Sequence, residues 1–131
     1  MNLNRGRLAQ VGFNVADLDR AEGFYRETLG LRHLGRVLDF MTFFDCGGVT
    51  LLLSKAKPGK VAIDGVLYLS CGDIGFCTRE LEARGVKFVE APHLISRQEA
   101  FDLWMAFFTD PDGHMLALHS EAPKGYQPTS P

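Results

Sequence analysis

Six side chains, Gln10, Asn14, Tyr68, Ser70, Trp104 and His119, carry the chemistry that this sequence can bring against a small molecule. His119 is the one suited to moving a proton, because imidazole is the side chain whose charge changes near neutrality. Gln10, Asn14, Tyr68 and Ser70 offer neutral hydrogen bonds, and Trp104 belongs to an aromatic set with Phe40, Phe43, Phe44, Phe101, Phe107 and Phe108. Together they suit orienting a phenol, amide or carbonyl between rings, or metal-free acid/base work by His119 and Tyr68. Each has a plain structural reading as well: a buried amide at Gln10, a satisfied polar residue at His119, and rings that fill space. His33, His93 and His114 fall in loops, at strand edges or just after a turn, and are assigned no chemistry. Cys46, Cys71 and Cys77 are odd in number and lack C-x-x-C spacing, so they are expected as reduced thiols.

The elements that position these residues follow from periodicity. Over 10–15, Val11, Phe13 and Val15 alternate with Gln10, Gly12 and Asn14, the period of a strand with one face on a core. Asp17 then caps a helix whose apolar side is Leu18, Ala21, Phe24, Tyr25 and Leu29, and Gly30 stops it. The same plan restarts at Val66, with Asp73 as cap and Gly85 as stop, which argues for a duplication. Further strands are predicted at 31–37, 40–45 and 49–53, with a Gly47–Gly48 hairpin, and at 86–89, 103–109 and 115–119, the last two joined by the turn D-P-D-G at 110–113. Residues 91–102 read as a polar loop long enough for a lid or rim, and the Pro-rich tail as mobile or docked on another surface.

The fold class is therefore α+β: two βαβββ modules forming curved mixed sheets around a cavity. The whole chain, 1–131, is one domain, with module one at 7–54, a linker at 55–64, module two at 65–121 and a mobile tail at 122–131. Alternation places Gln10, Asn14, Val66, Tyr68, Ser70, Met115, Ala117 and His119 on the cavity side and sends Leu116 and Leu118 under the helices.

A chain of 131 residues can bury about 70% of its unfolded surface, so neither metal nor disulfide is needed to fold it. The formal net charge is -2 with the signs interspersed. No basic stripe favours nucleic acid, no apolar run approaches a membrane span, and the polar start lacks a signal peptide's apolar segment. The expected setting is the cytoplasm.

The run A-D-L-x-x-A-x-x-F-Y-x-x-x-L-G-L at 16–31 and F-x-D-P-D-G at 108–113 resemble the vicinal oxygen chelate superfamily, the group of glyoxalase I, fosfomycin-resistance enzymes, extradiol dioxygenases and bleomycin-resistance proteins. The resemblance implies a metal held by the first and last strand of each module. The matching positions here are Gln10, Leu52, Val66 and Ala117, and of these only Gln10 can coordinate. No cofactor is therefore predicted; a divalent metal would need displaced ligands such as His119 or Glu121. The reading is a homodimeric, metal-free protein that binds or sequesters a planar or apolar organic ligand, in the manner of the bleomycin-resistance branch. The alternative is a metal-dependent lyase, isomerase or dioxygenase with displaced ligands, so whether the chain is an enzyme stays open.

Overall fold

The computed structural model describes Leu3, Asn4, Gly6 and residues 8–128; the expected module start at residue 7 and the tail residues 129–131 lie outside the described residues. Two compact units divide between Ala62 and Ile63.

In the first unit, strand β1 (Gln10–Val15) leads into helix α1 (Leu18–Gly23), capped by Asp17, whose Oδ1 accepts from the Arg20 N–H at 3.0 Å. The expected helix to Gly30 is not α-helical throughout: Phe24–Thr28 is π-helical, with the Leu29 N–H donating to the Phe24 carbonyl. That widening leaves the Tyr25 carbonyl for the Leu31 N–H, reached across Gly30 at φ 73°. Strands β2 (Arg32–Val37), β3 (Met41–Cys46) and β4 (Val49–Lys55) complete a sheet of order β1-β4-β3-β2, in which β1 and β4 run parallel. One face buries Val15, Phe44, Leu51 and Leu53 against Leu18, Ala21 and Tyr25. The same side carries a polar knot, where Thr42 Oγ1 donates to Glu22 Oε1 at 2.7 Å and meets His33 Nε2 at 2.8 Å.

The second unit repeats the plan with β5 (Val66–Ser70), α2 (Ile74–Ala83), β6 (Phe88–Arg97), β7 (Asp102–Thr109) and β8 (Met115–Ala122), in the order β5-β8-β7-β6. Asp73 Oδ1 caps α2 by accepting from the Phe76 N–H. At the D-P-D-G turn the Asp110 carboxylate accepts from the N–H groups of Asp112 and His114, and the Gly113 N–H closes on the Asp110 carbonyl. Leu116 and Leu118 face the core with Ala106 and Phe108, as alternation requires.

Two expectations are corrected here. Residues 91–97 are not loop: β6 continues to Arg97, leaving only a short connection in which the Gln98 N–H meets the Phe101 carbonyl. Register shifts break its alternation, and Pro92 sits inside one of them on an edge strand, where a missing N–H is tolerated. The tail is docked as far as it is described. Ala122 belongs to β8; Lys124 Nζ and the Gly125 N–H reach the buried carboxylate of Asp102 at 2.8 and 3.0 Å. The Tyr126 hydroxyl donates to Asp73 Oδ1 and accepts from the Gly75 N–H.

Candidate functional site

Each sheet has one face under its helix and one face free of it. In the second unit the register sets out the free face as rows across the strands. Tyr68 on β5 stands beside Ala117 on β8, then Phe107 on β7, then Glu90 on β6. The next row is Ser70, His119, Met105 and His93. Tyr68 is 52% exposed, His119 is half-buried, and Ala117 has no exposure at all.

Glu90 and His93 are three apart, which plain alternation would put on opposite faces. The bulge between them consumes one residue without a partner and returns both to the same side. His93 stacks on Phe107 at a centroid distance of 6.0 Å and 26°. Its Nδ1 lies 2.8 Å from the Ala91 carbonyl, which can only accept, so Nδ1 carries a hydrogen, and Nε2 lies 3.5 Å from Glu90 Oε2. His93 and Glu90 were not among the sequence-derived candidates, and only the pairing partner of β6 reveals them.

On the first unit's free face Gln10 is exposed beside Thr50, Gly12 lies beside Leu52, and Asn14 beside Ser54. The Asn14 side-chain oxygen accepts from the Ala62 N–H at 2.9 Å, so the amide fastens the segment that follows β4. Trp104 is a correction. It pairs with Ser120, lies on the helix side with Ala106 and Phe108, and meets Tyr126 edge-on at 5.9 Å. Tyr68, Ser70 and His119 share a face; Trp104 lies on the other, and Phe107 is the ring that β7 presents beside them.

Two of the thiols are held away from the thiolate form that a nucleophile uses. Burial and the neighbouring Cys77 thiol push Cys71 up to about 12, and burial raises Cys46 as well.

The model of the Glyoxalase/Bleomycin resistance protein/Dioxygenase superfamily matches residues 7–118. The chain belongs to this superfamily. Among curated proteins no sequence match is found. Solved structures of the superfamily's fold align over most of the chain. A lactoylglutathione lyase from Agrobacterium tumefaciens shares 20% identity at a TM-score of 0.67, covering 88% of this chain and 93% of its own. A glyoxalase/bleomycin resistance protein/dioxygenase family enzyme from Burkholderia phytofirmans shares 14% at 0.73, covering 88% and 99%. An integron cassette protein from the mobile metagenome of Halifax Harbour Sewage Outfall shares 22% at 0.70, covering 88% and 98%. At these identities the likeness is one of fold.

The superfamily's metal positions can be tested against the side chains present. Val66 and Ala117 in one unit and Leu52 in the other are hydrocarbon, and Ala117 is sealed from solvent. Among the described residues no three His, Cys, Asp or Glu side chains gather closely enough to hold a metal. The rescue that would slide His119 or Glu121 into place needs a bulge in β8, and β8 pairs without a register shift on both sides. His119 thus stays about 7 Å along the strand from Ala117. The residues present do not fit the superfamily's metal.

Proposed function

We propose that this superfamily member binds a small planar or apolar organic molecule on the free face of its second unit, without a metal. The observation that carries the reading is the composition of that face: exposed Tyr68, the stacked His93 and Phe107, and His119 with Ser70 surround an alanine where a ligating carboxylate would stand. Rings supply contact area at low entropic cost, and imidazole and hydroxyl groups fix orientation. The reading includes a homodimer, supported by exposed Leu34, Val37, Leu38 and Phe40 on the edge strand β2 and the turn after it. A cytoplasmic setting is supported by three cysteines that form no disulfide, and among the described residues no helix is long and apolar enough to cross a membrane.

The test is a protein-observed NMR titration with planar aromatic probes, alongside elemental analysis. Shifts centred on Tyr68, His93, Phe107 and His119 are expected. His119→Ala should weaken the bound probe by about 1–2 kcal/mol, the value of a hydrogen bond left unmade, without changing Tm. A variant with unchanged affinity and lowered Tm would make His119 structural. About one zinc, nickel, iron or manganese per chain, released by chelator with a fall in Tm, would replace this reading with a metal-dependent enzyme. A single molecular mass matching the monomer across micromolar concentrations would remove the dimer.

A further inference from the structure

We propose that Cys71 and Cys77 are a redox-active pair, which exchanges with a small disulfide of the glutathione type to form a reversible disulfide that locks the joint between β5 and α2. The fold brings the two thiols together from different elements. Cys71 follows the last residue of β5 and is fixed there by its N–H, which donates to the His119 carbonyl at 2.9 Å. Cys77 lies in the first turn of α2, with its N–H on the Asp73 carbonyl at 2.9 Å. The thiols meet in a hydrogen bond, so closing to the roughly 2 Å of an S–S bond joins groups that are already neighbours. Both residues are half-buried, and Phe76 beside Cys77 is 53% exposed, which leaves the start of α2 open to a small solute. Cys46 has a different setting: it ends β3 in the first unit, beside Asp45, and among the described residues no second thiol lies against it.

The environment sets the order of the steps. Cys71 is the thiol kept protonated by burial and by its neighbour, so the first attack falls to Cys77. Cys77 loses its proton to water and attacks one sulfur of glutathione disulfide; the Cys77–glutathione bond forms, the S–S bond of the reagent breaks, and the first glutathione leaves and takes up a proton. Cys71 then loses its proton and attacks the Cys77 sulfur, and the second glutathione leaves. Two cysteine thiols are oxidised and one glutathione disulfide is reduced to two glutathiones. The contact between the thiols makes the second step intramolecular, which favours the closed disulfide over the mixed one. Only Gly72 to Phe76 separate the pair, and Asp73 among them caps α2 and accepts from the Tyr126 hydroxyl, so the bond would fasten the joint on which the strap is held.

The test incubates the folded full chain in glutathione buffers of increasing disulfide content, quenches with acid, alkylates the remaining thiols and maps the peptides by mass spectrometry. Trypsin leaves both cysteines in one peptide, 61–79, which is expected to lose two hydrogens and to outnumber its mixed adduct with glutathione by at least about tenfold, with full reversal by dithiothreitol. Cys71→Ser should stop the reaction at the Cys77–glutathione adduct, since nothing remains to expel the second glutathione. The oxidised wild type should melt several degrees above the reduced form, because the cross-link closes a loop in the unfolded chain. A peptide that keeps its hydrogens under a large excess of glutathione disulfide, or that loses them only in denaturant, would overturn the pair. Mixed adducts on Cys71 and Cys77 in the wild type, as frequent as the closed disulfide, would overturn it too. An oxidised form that melts no higher than the reduced one would overturn the lock.

Discussion

Ala117 is fully buried between Tyr68 and Phe107, which makes it a sealed position as well as a donor-free one. A glutamate there would overpack the row and bury a carboxylate with no cation beside it, at a cost of about 2–3 kcal/mol. Urea unfolding of Ala117→Glu should show that loss, and added zinc or nickel should not recover it, because Val66 next along the face has no donor to contribute. Recovery of the wild-type midpoint by metal would mean that a ligand set can still assemble. Thr42 shows a different residue-scale logic, since its buried hydroxyl serves both Glu22 and His33. Burial pushes the Glu22 carboxyl up, but the Thr42 hydrogen bond and the charges of His33 and Arg36 outweigh it and hold the group below its ordinary value. Thr42→Val should cost about 1–2 kcal/mol at neutral pH. A depressed folded-state pKa stabilises above the unfolded value, about 4.3 for glutamate, and that contribution fades as pH falls through the folded one. The gap between wild type and Thr42→Val should therefore narrow below about pH 4; a gap constant from pH 7 to pH 3 would show that Glu22 is not the group involved.

At the scale of elements, the described part of the tail is a strap held by two aspartates. Asp102 is kept below its ordinary value first by the Lys124 hydrogen bond and then by the Gly125 N–H. Asp73 is kept low by the Tyr126 hydroxyl and the N–H of Phe76. Both contribute stability above the unfolded aspartate value, about 3.9, and lose it as pH falls further, so acid should release the strap. The single tryptophan, Trp104, packs edge-on against Tyr126 and reports the event. Tyr126→Phe, which loses the bonds to Asp73 and Gly75, should shift Trp104 emission at neutral pH toward the acid form. Emission indifferent both to acid and to this substitution would mean that the contact does not hold the strap.

For the whole molecule, the expectation concerns what binds the folded state. A metal held only by the native chain would stabilise it by mass action, so its removal would lower Tm. With hydrocarbon at Leu52, Val66 and Ala117, EDTA should leave Tm unchanged across the full melting curve, checked by calorimetry on protein purified without added metal. A drop of several degrees would show a site built from other residues.

Much of the fold is legible in local pattern. Asp17 and Asp73 cap helices, Gly30 and Gly85 lie just past the helical segments with positive φ, and the repeated offsets announce two copies of one unit, because caps and periods are properties of a few neighbouring residues. The side on which Met115, Ala117 and His119 fall was legible too, since β8 runs without a bulge from its turn. The length of β6, the shared face of Glu90 and His93, the inward turn of Trp104 and the docking of Tyr126 were not. Each depends on a partner distant in the chain. A bulge shifts the phase of alternation at a point that only the neighbouring strand defines, and a tail finds its place through buried Asp102 and the start of α2. The seal over Ala117 belongs to the same class: its small side chain is written in the sequence, but its loss of solvent comes from packing of the folded chain.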